Sequence, residues 1–115
     1  IRNLVAYNIV MEGIWFYSGF MVIFSFRQRN KLRNFGSMLN WVLRDESLHL
    51  KFGINLVLNI LEENPDLLTE DFAEEVRSII IEGVNLELAY NKDLFPNGIL
   101  GLNAEYVNQY VKYDI

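Results

Sequence analysis

The sequence contains no cysteine, one histidine and only two prolines among 115 residues. Without cysteine, neither a disulfide framework nor a thiolate metal site can form, so any bound metal must use oxygen and nitrogen ligands. The scarcity of proline, with 51% hydrophobic and 22% charged residues, excludes a disordered or collagen-like chain. Long runs of strict polar and apolar alternation are also lacking, and this absence argues against a sheet. The sequence therefore predicts an all-α protein.

Positive charge is in short supply as well. The net charge of −5 argues against a nucleic-acid-binding protein, whose phosphate contacts require a basic surface. One basic cluster exists, and its members are Arg27, Arg29, Lys31 and Arg33. We interpret it as a solvated connector with cations near a helix end, with phosphate or membrane binding as the alternative.

Apolar spacing of three and four residues predicts four helices. The first covers about residues 2–26, is apolar almost all round, and should therefore be central. The others cover about residues 37–63, 69–90, and a short stretch that follows residue 103, with Ser37, Thr69 and Asn103 as their N-caps. On the third helix the predicted buried stripe is Phe72, Val76, Ile79, Ile80, Gly83 and Leu86, and the fourth should present Val107, Tyr110 and Val111.

Helices of about 25 residues are too long for a compact domain of this size and are typical of a long helical bundle. The first residues, Ile1–Val5, have the pattern of the middle of an amphipathic segment, without an initiator methionine or a secretory signal. We therefore expect residues 1–115 to form a single partial domain whose remaining half lies elsewhere.

Two features of the sequence place potential metal ligands on apolar helix faces. Glu12 lies among apolar residues of the first helix, and a buried carboxylate must be protonated, paired or bound to a metal. Glu46 and His49 form a Glu-x-x-His pair on one apolar face of the second helix, so both can reach one ion. Each feature alone is weak, since a core histidine or a surface pair gives the same pattern. Together they match the ferritin-like dimetal architecture, in which one helix gives a Glu and the next a Glu-x-x-His.

Three segments resemble the small subunit of class I ribonucleotide reductases. They are Val10–Phe20 (VMEGIWFYSGF), Leu43–Leu50 (LRDESLHL) and Lys92–Asn103 (KDLFPNGILGLN), so the likeness covers nearly the whole chain. The string Arg-Asp-Glu-Ser-Leu-His is far more restrictive than Glu-x-x-His. The resemblance implies a ferritin-like helical bundle, of which this chain is the carboxy-terminal half.

The resemblance also implies residue roles. Glu12, Glu46 and His49 would be three of six metal ligands, and Asp45 would orient a ligand histidine and take part in radical transfer. From the residues alone, a surface pair of Asp45 with Arg44 is the favoured interpretation. The apolar wall of the radical and metal pocket would comprise Phe16, Phe20 and Val42, although aromatic stripes are often plain core. The family's radical-bearing tyrosine belongs to a region that is not in this sequence.

As a whole, the family uses a dinuclear iron centre, or a manganese and iron pair, with oxygen to generate and store a radical for ribonucleotide reduction. The resemblance implies a cytoplasmic protein and three partners: the missing half of the domain, a second copy in a homodimer, and the large catalytic subunit. This chain alone should be inactive, because three ligands cannot fix two ions.

Two alternatives remain at this point. The first is another ferritin-like oxidase or hydroxylase with the same site geometry. The second is a helical membrane or interaction protein, since the stretch from Leu4 to Phe26 is long enough to span a bilayer with Glu12 as its one charge. Asn8 and Glu12 near its middle would be costly in lipid, which disfavours a membrane protein.

Overall fold

The structure, a computed structural model, describes residues 1–99 and 101–113, without the side chains of residues 110, 111 and 113. The described chain is helical, with one isolated bridge between Ile99 and Leu102. Helix α1 covers Arg2–Gln28, helix α2 Arg33–Glu63, helix α3 Glu70–Leu94 and helix α4 Ala104–Tyr113. A short 3-10 turn, Pro65–Leu67, follows α2. The predicted all-α class is confirmed.

Helix α1 changes its hydrogen-bonding pattern along its length. Arg2–Val5 and Phe16–Gln28 are α-helical, whereas Ala6–Trp15 between them is a π-helix. The π segment packs against both α2 and α3, and the second half of α1 packs against α2 and α4. Helix α1 is therefore central, as its apolar composition predicts.

Glycines allow the helices to approach closely along the π segment. A methyl group on Gly53 of α2 would overlap Asn8, and one on Gly83 of α3 would overlap Val10. A methyl group on Gly13 would lie 2.9 Å from Leu50 Cδ1. Each glycine thus makes room for a side chain of the neighbouring helix, which allows α2 and α3 to pack closely on α1.

Two clusters of buried apolar residues lie within the core of the described chain. One is centred on Val10 and Ile14, packed against apolar residues of α3, and the other on Phe95, Leu102 and Val107 near α4. Val107 is fully buried, as predicted, while the side chains of Tyr110 and Val111 lie outside the described residues.

Two of the three predicted N-caps are confirmed. Thr69 Oγ1 accepts the Phe72 backbone N–H at 3.1 Å, and Asn103 Oδ1 accepts the Tyr106 N–H at 2.8 Å. The prediction for Ser37 is wrong, because α2 begins one turn earlier at Arg33 and the Ser37 hydroxyl donates to the Arg33 carbonyl at 3.0 Å. Serine inside a helix commonly bonds back to the preceding turn in this way.

The predicted stripe of α3 is wrong at its carboxyl end. Leu86 is 53% exposed, and the buried position on that turn belongs to Glu87. Glu87 lies four residues after Gly83 and four before Asn91, both of them buried, so helix geometry places it on the inner face despite its charge. Helix α3 also continues to Leu94, one turn beyond the predicted end.

The basic cluster lies where α1 gives way to α2. Leu32, the residue before α2, has a φ of 47°, and the Arg29 guanidinium lies 5.9 Å from the centre of the Phe26 ring. The Arg27 side chain covers Gly36, where an added Cβ would lie 3.0 Å from Arg27 Cβ. These contacts support the interpretation of the cluster as a connector.

Arg2–Gln28 is long and apolar enough to cross a membrane by length and composition alone, with a mean hydropathy of 1.6 in its most apolar window. A core helix of a water-exposed protein passes the same test. In this structure a third of that window is already buried against α2, α3 and α4 (33%).

Candidate metal centre

Three potential metal ligands converge where α1 crosses α2. One ligand atom from each of Glu12, Glu46 and His49 can be chosen so that all lie within 4.8 Å of one another. His49 Nδ1 is 3.3 Å from Glu46 Oε2 and 3.7 Å from Glu12 Oε2. Two helices therefore bring two carboxylates and an imidazole to one point, as the sequence pattern predicts.

The backbone explains this convergence. Glu46 and His49 are three residues apart on α2, which places both side chains on the same helix face. Glu12 reaches them from the π segment of α1. The close contacts at Gly13 and Gly53 lie at the same crossing and hold the two helices near enough for the side chains to meet.

The site is half-buried and opens on one side. The Glu46 side chain is 14% exposed, that of Glu12 is 29% exposed, and that of His49 is 59% exposed. Helix α2, which carries Glu46 and His49, also presents large apolar residues to solvent, among them Met38, Trp41, Leu48 and Phe52. A patch of this kind marks a surface that is normally covered.

Electrostatics at the site favour a positive charge. A hydrogen bond with Glu46, followed by burial, raises the pKa of Glu12. The hydrogen bond with Glu46 is also the main cause that raises the pKa of His49, with Glu12 adding to it. Two neighbouring carboxylates repel unless a proton or a cation lies between them. A cation bound among these three groups would relieve that repulsion.

The donor set fits a metal centre. Two carboxylate oxygens and one imidazole nitrogen, with no thiolate, suit iron or manganese, and three groups leave coordination positions open. His49 directs Nδ1 toward the carboxylates, so this nitrogen is the one nearest to an ion held between them.

The three residues predicted to form the apolar wall differ in burial. Phe20 is buried at 5% exposure, and its ring stacks with that of Phe16 at 6.2 Å between centroids. Phe16 and Val42 are 42% and 44% exposed and lie near the open side. Their role in shielding a radical stays a prediction, because it depends on what covers that side.

Asp45 is not joined to the cluster in the described structure. Its Oδ1 lies 3.3 Å from the Arg44 guanidinium, and both side chains are more than half exposed. This is the surface pair that the residues alone suggest. The role of Asp45 in orienting a histidine therefore stays a prediction that depends on groups outside this chain.

Sequence reasoning missed two polar features near α1. The Trp15 indole N–H donates to the Gly83 carbonyl at 3.1 Å, a contact across 68 residues that no local pattern predicts. Ser18 and Glu87 are both buried. Burial raises the pKa of Glu87, and a hydrogen bond with Ser18 opposes part of that rise. The spacing of Glu87 from buried Gly83 was the signal available for the second feature.

Comparisons with known proteins show which family the chain resembles. The family model described as "Ribonucleotide reductase, small chain" matches residues 1–115. The ribonucleoside-diphosphate reductase subunit beta of Chlamydia pneumoniae is 48% identical over 98% of this chain and 33% of its own length. The ribonucleoside-diphosphate reductase small chain 1 of Saccharomyces cerevisiae is 33% identical over 97% of this chain and 26% of its own.

The fold agrees as well. The solved structure of the ribonucleotide reductase R2 subunit from Clostridium botulinum superposes with a TM-score of 0.88 at 33% identity. The match covers 96% of this chain and 35% of that one. The chain thus spans about a third of the length of the relatives that it matches.

Proposed function

Since this chain belongs to the ribonucleotide reductase small-chain family, we propose that Glu12, Glu46 and His49 are three ligands of a dinuclear metal centre that serves ribonucleotide reduction. The observation that carries the proposal is the convergence of these three side chains at the α1–α2 crossing. The reductase activity is a property of the whole protein, of which this chain supplies one side of the site.

The three ligand residues have different roles at the metal site. Glu12 and Glu46 would hold the ions and would supply negative charge that balances the charge of the cations. His49 would supply a neutral nitrogen, Nδ1, whose contact with Glu46 Oε2 would give way to the ion. When bound, the metal centre supplies the redox chemistry, with iron or a manganese and iron pair as the ions that this donor set suits.

Apolar side chains around the site exclude water and reductants. Buried Phe20 and its stacked neighbour Phe16 close one side of α1, and Val42 borders the ligands on α2. A dry wall protects an oxidised centre from side reactions. Asp45, four residues before His49 on α2, is our candidate for the residue that connects the site to the radical-transfer path.

The exposed apolar residues Met38, Trp41, Leu48 and Phe52 are evidence that further segments of the full-length protein pack against α2. These residues lie on the same helix as Glu46 and His49, so a segment that packs on α2 would lie near the metal site. We assign this position to the remaining helices of the ferritin-like domain, which would bring the other ligands. A second copy in a homodimer, the large catalytic subunit and a cytoplasmic location follow from the family and belong to the same proposal.

The test uses the full-length protein that contains this chain. Elemental analysis should find about two iron or manganese ions per chain in the unaltered protein. Glu46→Ala and His49→Ala should each abolish stoichiometric binding while far-UV circular dichroism stays unchanged, because the side chains lie at a half-exposed helix surface. The matched control is Glu82→Ala, which removes an exposed carboxylate of α3. Unchanged metal content in both ligand variants would overturn the assignment.

A further inference from the structure

The π-helical segment Ala6–Trp15 contains Glu12 and is bounded on both sides by α-helix. π-Helices are rare, usually a single turn long, and frequently found at functional sites. A segment of ten residues therefore needs tertiary contacts to stay in this register. The direction of Glu12 depends on that register, since each residue along a helix turns the side chain by about 100°.

Helix α3 supplies two such contacts at a single residue, Gly83. Val10 lies directly over Gly83, where no side chain could fit, and an added Cβ would be 3.1 Å from Val10 Cγ2. The Gly83 carbonyl also accepts the Trp15 indole N–H at 3.1 Å. Val10 and Trp15 lie on either side of Glu12 in sequence, so both ends of the stretch that carries the ligand are attached to the same point of α3.

Trp15 itself does not reach the ligand cluster. Its residue is 41% exposed, and its one described polar contact is the bond to Gly83. The partly exposed ring contributes little to core packing, so the hydrogen bond of its N–H is the specific interaction of this side chain. The bond links the last residue of the π segment to the helix on the opposite side from α2.

We propose that Trp15 is a positioning residue for the metal centre: through its hydrogen bond to the Gly83 carbonyl it holds the π register that directs Glu12 toward Glu46 and His49. This inference rests on the proposed function, because it assumes that Glu12 is a ligand. Loss of the bond frees the carboxyl end of the segment, and Glu12 then samples directions that do not meet α2.

The decisive variant replaces Trp15 in the full-length protein with 3-benzothienylalanine, which keeps the ring shape but has sulfur in place of the N–H. The matched control restores tryptophan through the same suppressed codon. Trp15→Phe is the second variant, obtainable by ordinary mutagenesis. Cobalt(II) is the probe, titrated into metal-free protein and followed by its visible absorption.

Both variants should bind cobalt(II) roughly tenfold more weakly than the control, in the range typical for groups that support metal ligands. The absorption spectrum should change, since altered access of one carboxylate changes the coordination. Amide hydrogen exchange across residues 6–15 of the metal-free protein should accelerate, which reports the register without any metal. A lower melting temperature with unchanged affinity, spectrum and exchange would show a merely structural role and overturn the inference.

The two proposals fail differently. If the control protein binds no cobalt(II) and no iron, the metal site is wrong and the positioning role falls with it. If the control binds metal and both Trp15 variants match it, the metal site stands and only the role of Trp15 is refuted. Should Trp15→Phe fail to fold, the benzothienyl variant decides, because it changes one atom of the ring.

Discussion

Asn8 and Gly53 are in direct contact at the crossing of α1 and α2, so close that a methyl group on Gly53 would overlap the Asn8 Cβ. The Asn8 amide is meanwhile held by its hydrogen bond to the Leu4 carbonyl at 3.1 Å, which limits its freedom to move aside. Because the metal ligands lie at the same crossing, the distance between the two helices is part of the site.

Gly53→Ala should therefore separate α1 from α2. We expect the free energy of unfolding to fall by about 1–3 kcal/mol, the usual cost of overpacking, although alanine favours a helix. Chemical denaturation of the full-length protein measures it. Gly19→Ala is the control, since an added Cβ there meets nothing within 4 Å in the described part of the chain. Equal stability of the two variants would contradict the contact.

Asp45→Ala should leave the metal content unchanged and lower the reductase activity of the full-length protein roughly 10- to 100-fold. The reason is that Asp45 is beside the ligands on α2 yet contacts Arg44 rather than the cluster. Elemental analysis and an activity assay with the large subunit check both parts. Arg44→Ala removes the described partner and serves for comparison. Loss of metal in Asp45→Ala would show that this residue is a ligand or directly supports one.

Glu87→Gln should make stability less dependent on pH. Burial raises the pKa of Glu87 in the folded protein above its ordinary value of 4.5, so the folded state binds the proton more tightly than the unfolded state. The protonated Glu87 therefore makes its full contribution to the free energy of unfolding below about pH 4.5, and this contribution is lost as pH rises through the folded pKa. Glutamine stays neutral throughout and avoids that loss.

Thermal denaturation of the full-length protein between pH 4 and pH 8 would measure this. The free energy of unfolding of the variant should rise relative to that of the unaltered protein as pH increases, by about 1–3 kcal/mol once the buried carboxylate is charged with only the Ser18 hydroxyl beside it. Glu82→Gln changes an exposed carboxylate of the same helix and should leave the pH profile as it is. Parallel profiles for Glu87→Gln and the unaltered protein would contradict the prediction.

Thr69→Ala should cost about 1 kcal/mol, because its hydroxyl accepts the Phe72 N–H at the start of α3. Ser37→Ala should cost much less, since Ser37 lies inside α2 and its exposed hydroxyl only bonds back to Arg33. Chemical denaturation of the two variants side by side tests the position of both helix starts. A larger loss for Ser37→Ala would restore Ser37 as a cap.

Features set by local patterns could be predicted from the sequence. The caps at Thr69 and Asn103 depend on residues three positions apart, and the Glu46 and His49 pair depends on one helix turn. Glu12 could be added because a charge among apolar neighbours requires a partner. The structure brings the three side chains together, and their binding of metal stays a prediction.

Other features depend on contacts between distant segments. The bond from Trp15 to Gly83 and the burial of Glu87 arise from packing of α3 on α1, which hydrophobic periodicity does not report. The π segment could not be predicted either, because its buried residues Val10, Gly13 and Ile14 have the three- and four-residue spacing of an ordinary α-helix.

The π segment makes residue count, as well as residue type, a determinant of the site. The two α-helical ends of α1 are fixed by their packing. The π-helical stretch between them can connect them only if the number of residues in it does not change. A one-codon deletion anywhere from Ala6 to Trp15 would let the stretch return to ordinary α-helix. Such a deletion could leave Glu12 and its neighbours in the sequence. The Glu12 side chain would still turn by about 100° relative to one of the two helix ends. Alignments that tolerate a gap here would hide the loss of a ligand.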